Sequence, residues 1–494
     1  MYYLGLDIGS SSVKVAIVEA ASGKSILSLH EPPNEMEIMS IHNDWAEQDP
    51  ETWWKHVCNA IKRVISESNI NYKKILSIGI SYQMHGLVVV DREGNSLRNS
   101  IICCDSRAIQ IGNKAYKNLG GSYCEDNLLN SPGNFTASKL KWVKDNEPKL
   151  FEKIHKIMLP GDYIAYKLTS EINTTKNRLS EGILWDYKNN CVSKELLDLY
   201  GIDKTLIPDI VENFSNQGGV NEKASEETGL PKGVTVTYRA GDQPNNTLSL
   251  NVFNHGEVAA TGGTSGVIYA VTDSLKSKES SRINNFAHVN YTEEKPVLGK
   301  LLCINGAGIQ YRWLRNHSVE NSYENMNRKA SKIPVGSDGV QVIPFGNGAE
   351  RMFNNKNIGT QICNINLNTH SHGHLYRAAL EGIAFSFVYG MEILKGDNAL
   401  INVIRAGNDN LFRSEIFSNT VATLIGHEIE IYNTTGAIGA ARAAGLIDKD
   451  FKNFGDNITK NDHVMTFMPL KSNEPYKQAY YSWKKELENI IKNK

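Results

Sequence analysis

Tyr3-Leu4-Gly5-Leu6-Asp7-Ile8-Gly9-Ser10-Ser11-Ser12-Val13-Lys14-Val15 joins two apolar runs through a polar turn of glycine and serine. Alternation at Val13, Val15 and Ile17 marks the second run as a strand, so the stretch reads strand, turn, strand. The pattern returns in Gly256-Glu257-Val258-Ala259-Ala260-Thr261-Gly262-Gly263-Thr264-Ser265-Gly266-Val267-Ile268-Tyr269, near the start of the second half of the chain. At 494 residues the chain exceeds the ~250–300 residues at which a single core stops growing. Two related domains are expected, 1–244 and 245–494, with the boundary near residues 243–256. Two such turns facing each other would clamp a ligand at the interface between domains.

Outward from these turns, strand-length apolar runs alternate with helix-like segments. Ile75 to Ile80 reads as a buried strand, and Leu87-Val88-Val89-Val90 as another. Pro50 to Ser68 places Trp53, Trp54, Val57, Ile61, Val64 and Ile65 on one side of a helix. Asp49-Pro50-Glu51 supplies its start, a capping carboxylate followed by proline in the first turn. Strands and helices mixed in this way predict an α/β fold.

Composition narrows the function classes. The hydrophobic fraction is 40%, the charged fraction 22% and the formal net charge -1, an ordinary globular balance with no basic field for nucleic acid. The start MYYLGLDIGS lacks the charged n-region and apolar run of a signal peptide. No apolar run approaches the ~18 residues of a membrane span. The seven cysteines form no C-x-x-C pair, and Cys103 and Cys104 are adjacent, so reduced thiols in the cytoplasm are expected. His370, His372 and His374 open a helix-like segment without further ligands nearby, and no Cys/His metal site is expected.

The chemistry concentrates in the turns and in three loops. Gly9 lets the backbone approach a ligand closely, so that N–H groups can point at phosphate oxygens, and Ser10, Ser11 and Ser12 add uncharged donors. Asp7 fits as a ligand to Mg²⁺, directly or through water, and Lys14 could neutralise phosphate or point to solvent. A plain tight hairpin is the alternative for either turn taken alone. Gly263, Thr264 and Ser265 repeat the same chemistry, and the pairing favours a nucleotide clamp. Asp242, in Ala240-Gly241-Asp242-Gln243-Pro244, follows a strand and precedes the second turn. It is the candidate base for phosphoryl transfer to an alcohol, with a helix N-cap as the alternative. Gln83-Met84-His85-Gly86 lies between two apolar strands and offers directional hydrogen bonds to a polyol, although a loop histidine is commonly structural. Asp105-Ser106-Arg107 follows Ile101 to Cys104; the alternative there is an exposed ion pair.

Together these residues resemble the FGGY family of carbohydrate kinases, and within it the xylulokinases, essentially end to end. Asp7 to Lys14 and Thr261 to Gly266 look like the family's two phosphate motifs, and Asp242 falls where its catalytic base stands. Gln83-Met84-His85-Gly86 is similar to the loop that distinguishes xylulokinases from glycerol kinases. Pro344 to Arg351 resembles the Gly-Glu-Arg segment, Arg377 to Phe385 the C-terminal signature helix, and Ala406-Gly407-Asn408-Asp409-Asn410 the adenosine-binding loop. The resemblance implies two actin-like (ribonuclease-H-like) domains flanking a catalytic cleft, with ATP bound largely by the second and sugar by the first. It implies Mg²⁺ and transfer to the terminal hydroxyl of D-xylulose, giving the 5-phosphate, with Gln83, Met84, His85, Asp105, Asp242 and Gln243 around the sugar. Gly9, Ser10, Ser11, Ser12, Lys14, Gly263, Thr264, Ser265, Gly407 and Asn408 would serve the nucleotide, and Asp7 the metal. A soluble cytoplasmic enzyme is implied, and a homodimer is admitted. Three departures stand out: a single glycine, Gly407, in the adenosine loop; Cys103 in place of the usual tryptophan; and Gln243-Pro244 after the candidate base. Gluconate, ribulose, fuculose and glycerol are alternative acceptors, and an actin-like ATPase or a catalytically silent sugar sensor is the alternative of a different class.

Overall fold

The structure, a computed structural model, describes residues 1–320, 322–408 and 410–493. Both strand–turn–strand segments form hairpins, and each hairpin founds a sheet. In the first, β1 (Tyr2–Ile8) pairs antiparallel with β2 (Val13–Glu19), and β2 with β3 (Ser25–Glu31). β4 (Ile75–Tyr82) joins β1 in parallel and β5 (Thr235–Gly241) joins β4 in parallel. The order is β5-β4-β1-β2-β3.

The second sheet contains β6 (Glu257–Gly262), β7 (Gly266–Thr272), β8 (Asn284–Ala287), β9 (Leu298–Ile304), β10 (Val403–Gly407), β11 (Ile429–Tyr432) and β12 (His463–Phe467). Its order is β8-β9-β7-β6-β10-β11-β12. Without the outer strands β8 and β12, three antiparallel strands are extended by two parallel ones, in the order and sense of the first sheet. The repeat suggested by the two turns is therefore a repeat of topology. Ligands of such α/β sheets collect at the carboxyl ends of the strands. Asp7, Gln83 and Asp242 lie at the ends of β1, β4 and β5; the second turn and Gly407 lie at the ends of β6 and β10.

The helices around the cleft are α1 (Pro50–Glu67), α2 (Thr136–Asn146), α3 (Lys176–Glu181), α4 (Asp242–Ser249), α5 (Gly308–Asn316), α6 (Tyr323–Ala330), α7 (His372–Gly396) and α8 (Gly436–Ala443). α1 starts as its sequence predicts: Asp49 caps it by accepting from the Glu51 N–H at 3.0 Å. Trp53, Val57, Ile61 and Val64 are fully buried in the core that α1 shares with β1 and β2. Among the described residues, no helix is long and apolar enough to cross a membrane.

α8 belongs to the second half of the chain but lies on the first sheet. Its run of glycine and alanine permits an approach that larger side chains forbid. A Cβ at Gly5 would stand 2.0 Å from the Ala437 carbonyl, and one at Gly79 would stand 1.9 Å from that of Ala440. Buried Ser77 and Thr237 both donate to the Ala444 carbonyl at 2.8 Å, holding the end of the helix. Asn245 of α4 donates to the Gly436 carbonyl at 2.8 Å, so α4 and α8 cross between the two sheets. The expected division at 244/245 falls inside α4.

Gly79→Ala therefore forces backbone apart at this crossing. Overpacking of this kind costs about 1–3 kcal/mol, and urea denaturation should show a lowered midpoint; an unchanged midpoint would mean that α8 has room to move.

Candidate active site

The first turn is tied from behind. The Ser10 carbonyl accepts from Gln48 Nε2 at 2.7 Å, that of Ser11 from the Met36 N–H at 2.8 Å and that of Ser12 from the Gly9 N–H at 3.0 Å. With all three carbonyls engaged by protein donors, the turn offers N–H and O–H groups to the cleft, the polarity that phosphate oxygens need. Lys14 stands opposite Asp7 in the β1–β2 register, with Nζ 3.8 Å from the carboxylate and the side chain 52% exposed.

Asp242 heads α4, with Gly241 rather than Asp242 in the N-cap position. Its carboxyl is pushed up to about 7, by burial first and by the negative charge of Asp7 second; the Gln243 N–H and side chain and the charge of Lys14 oppose the shift. Asp7, Lys14, Asp242 and Gln243 thus come together at one end of the first sheet, with β4 between the strands that carry the two acids. The charge of Asp7 disfavours that of Asp242, and a divalent cation would relieve that repulsion. Among the described residues no group of three acidic, histidine or cysteine side chains could hold a metal ion. The donors fit Mg²⁺ held by one carboxylate with phosphate oxygens and water completing its shell.

The loop after β4 is tied down by hydrogen bonds to α3. His85 has φ 63°, a left-handed conformation uncommon outside glycine, and Glu181 at the end of α3 stabilises it. The Glu181 carboxyl accepts from the His85 N–H and from the Tyr82 hydroxyl, each at 2.8 Å. The Glu181 carbonyl lies 3.2 Å from His85 Nδ1; a carbonyl only accepts, so Nδ1 carries the proton. Burial foremost, then Lys139, pulls the imidazole down to about 3, and neutral His85 keeps Nε2 as an acceptor. The ring meets Phe135 edge-on at 4.7 Å and Phe286, from the other sheet, at 5.3 Å. Gln83 and Met84 are both buried, at 3% and 4% exposure. The Gln83 amide donates to Gln48 Oε1 and accepts from Cys103 Sγ, each at 3.3 Å, so Gln83 links the histidine loop to the first turn.

Asp105 lies beneath the cleft, in a buried ion pair. Its carboxylate is 1% exposed and accepts from the Ala46 and Arg107 N–H groups and twice from the Arg107 guanidinium, at 2.7 to 2.9 Å. Arg107 also pairs with Glu47 at 2.7 Å and lies 3.9 Å from the Trp45 ring. The lone pairs of this carboxylate are engaged by protein donors. The ion pair is buried, not exposed as the alternative reading had it.

The second turn forms one wall of a cavity of about 560 Å³, lined by Gly263, Thr264, Tyr311, Arg312, Leu411 and Arg413 among others. That volume is typical of a small-molecule site. The Thr264 carbonyl accepts from the Ile309 N–H of α5 at 2.9 Å. Tyr311 stacks on Tyr323 at 5.6 Å and donates to Asn327 at 2.8 Å. Two guanidinium groups and stacked aromatics suit phosphates and a flat base. Gly407 and Asn408 end β10 beside β6, and the Asn408 N–H donates to the Tyr432 carbonyl at 2.8 Å. Ser265 belongs to the same turn; Asp409 lies outside the described residues. Sequence reasoning missed Glu181, Phe286, Tyr311, Arg312 and Arg413, which sit on α3, β8, α5 and the stretch after β10, without a motif of their own.

The profile of the FGGY family of carbohydrate kinases, N-terminal domain, matches residues 2–248, and that of the C-terminal domain matches residues 258–446. Xylulose kinase of Staphylococcus xylosus is 27% identical over 468 residues, 92% of each chain. A crystal structure of a xylulose kinase from Brucella ovis superposes with a TM-score of 0.89 at 24% identity, covering 100% of both chains. Plasmodium falciparum glycerol kinase with ADP superposes with a TM-score of 0.88 at 20% identity, covering 99% of this chain and 98% of that one. Profiles spanning both halves, on two sheets of one topology around a phosphate-ready cleft, settle the family: the chain belongs to the FGGY carbohydrate kinases, ATP-dependent phosphotransferases with an alcohol group as acceptor.

Proposed function

We propose that the protein phosphorylates D-xylulose at its terminal hydroxyl, giving D-xylulose 5-phosphate and ADP, with Asp242 as the general base. The observation that carries this reading is the position of Asp242, at the carboxyl end of β5 beside Asp7. There its carboxylate accepts the hydroxyl proton as the new O–P bond forms and the bond from the γ-phosphorus to the β,γ-bridging oxygen breaks. The two turns and Lys14 hold the phosphates, Asp7 would hold Mg²⁺, and the cavity beside the second turn takes the adenosine. Bound Mg²⁺ supplies charge neutralisation on the transferring phosphoryl group. Neutral His85 directs Nε2 to a sugar hydroxyl, Met84 shapes the floor, and Gln243 fixes the Asp242 carboxyl. Relatives named xylulose kinase, matching over nine-tenths of both chains, support the ketose as acceptor. The seven cysteines are all free, as in a reducing cytoplasm.

Asp242→Asn is expected to lower kcat at least ~10²-fold with D-xylulose binding by calorimetry retained; near-normal turnover would remove Asp242 from the chemistry. Because the carboxyl must be ionised to accept a proton, kcat/KM should fall as pH drops through about 7, and a profile flat from pH 8 to pH 6 would contradict that role. Glu181→Ala leaves the buried His85 N–H and Tyr82 hydroxyl unpaired, a cost of about 1–3 kcal/mol. The sugar KM should rise, and Glu181→Gln should restore it. ³¹P NMR of the product identifies the acceptor: phosphorus coupled to the C5 protons supports the proposal, and turnover confined to gluconate or glycerol overturns the xylulose assignment.

A further inference from the structure

Cys103 and Cys104 occupy the corners of a turn closed by the Asp105 N–H donating to the Ile102 carbonyl at 3.2 Å. Both ends of this turn are pinned. Asp105 is locked by Ala46 and Arg107, and the Ile102 carbonyl also accepts from Lys139 Nζ at 2.8 Å. Lys139, fully buried on α2, spends a second N–H on the His85 carbonyl at 2.9 Å. The turn therefore shares an anchor with the histidine loop. Cys103 Sγ donates to Gln83 Oε1 at 3.3 Å, its thiol lies within the electrostatic reach of Asp242, and Cys104 is exposed. No step of the phosphoryl transfer uses either thiol.

We propose that Cys103 and Cys104 form a vicinal dithiol site for soft, two-coordinating electrophiles of the monosubstituted trivalent arsenical class, and that its occupation blocks the acceptor side of the cleft. The first half stands on the two thiols and their rigid turn; the second rests on the reading of this cleft as the acceptor site. In the binding step two S–H bonds and the As=O double bond are consumed, two As–S bonds form, and the oxygen leaves as water with both protons. No electrons are exchanged. Bridging withdraws Cys103 Sγ from Gln83 and sets the substituent on arsenic over the path to Asp242. With the Cys103 S–H turned from Gln83 to Cys104, the hydrogen bond it donates, and the charge of Lys139 in addition, hold the Cys104 thiol down at about 7 against the effect of burial, so thiolate is available near neutrality.

The test uses the full chain, reduced with a phosphine, and phenylarsine oxide as the probe. Intact mass should show an adduct formed with loss of water, and thiol titration should show two thiols consumed per arsenic. Excess 2,3-dimercaptopropanol should reverse the adduct where a monothiol does not. Cys104→Ser should keep basal turnover and bind at least ~10²-fold more weakly, the loss expected when two linked contacts become one; Cys103→Ser should weaken binding alike. Consumption of one thiol per arsenic, or undiminished affinity in both serine variants, would overturn the site. A bridged enzyme that turns over at the unmodified rate would overturn the blocking. Mass and thiol readouts need no sugar, so a wrong acceptor assignment would leave the dithiol result standing on its own.

Discussion

Backbone-to-backbone packing of α8 on the first sheet is the constraint on which the rest depends. Residues from the end of the chain reach back to the first strand because Gly5 and Gly79 present no side chain and α8 presents glycine and alanine. That seating, with Ser77 and Thr237 holding its end and Asn245 its start, fixes α4 against α8 at the crossing of the two sheets. Asp242 is the first residue of α4, so the tight crossing also places the candidate base. A carbon atom added at the sheet would act at the cleft through this one contact.

At the cleft the decisive quantity is the cost of charge. Burial, and after it the negative charge of Asp7, raises the cost of ionising Asp242. Glu181 is also pushed up, to about 8, chiefly by burial. The site holds Asp242 and Glu181 near the point of proton exchange and keeps the His85 imidazole neutral. Fully charged partners are used elsewhere: Asp105 with Arg107, and Asp162 shared by Arg178 and Arg239 at 2.9 and 2.8 Å, brace the first domain from within. Similar residues thus stand with raised carboxyls at the strand ends and in fully paired scaffolding beneath them.

The same distinction explains what the sequence could reveal. The two turns, the strand carrying Val13 and Val15, and α1 with its Asp49 cap are local patterns of alternation, periodicity and capping, and they were legible. The placement of Asp242 directly after a strand was legible as well, because the apolar run before it ends at Gly241. The burial of Asp105 and the approach of Ala46 are not visible along the chain. Glu181 and Phe286 act on His85 from about one and two hundred residues away; such contacts come from folding and leave no spacing to read. α8 looks like an ordinary alanine-rich helix until Gly5 and Gly79 are found beneath it.

The central claim is that phosphoryl transfer at Asp242 depends on a ketose in the cleft. It is tested most directly by coupled ADP release with MgATP alone and with each of D-xylulose, ribulose, gluconate, fuculose and glycerol. The account predicts negligible release without sugar and the highest kcat/KM with D-xylulose. Release at the same rate with and without sugar would contradict it and mark the protein as an ATPase on this scaffold.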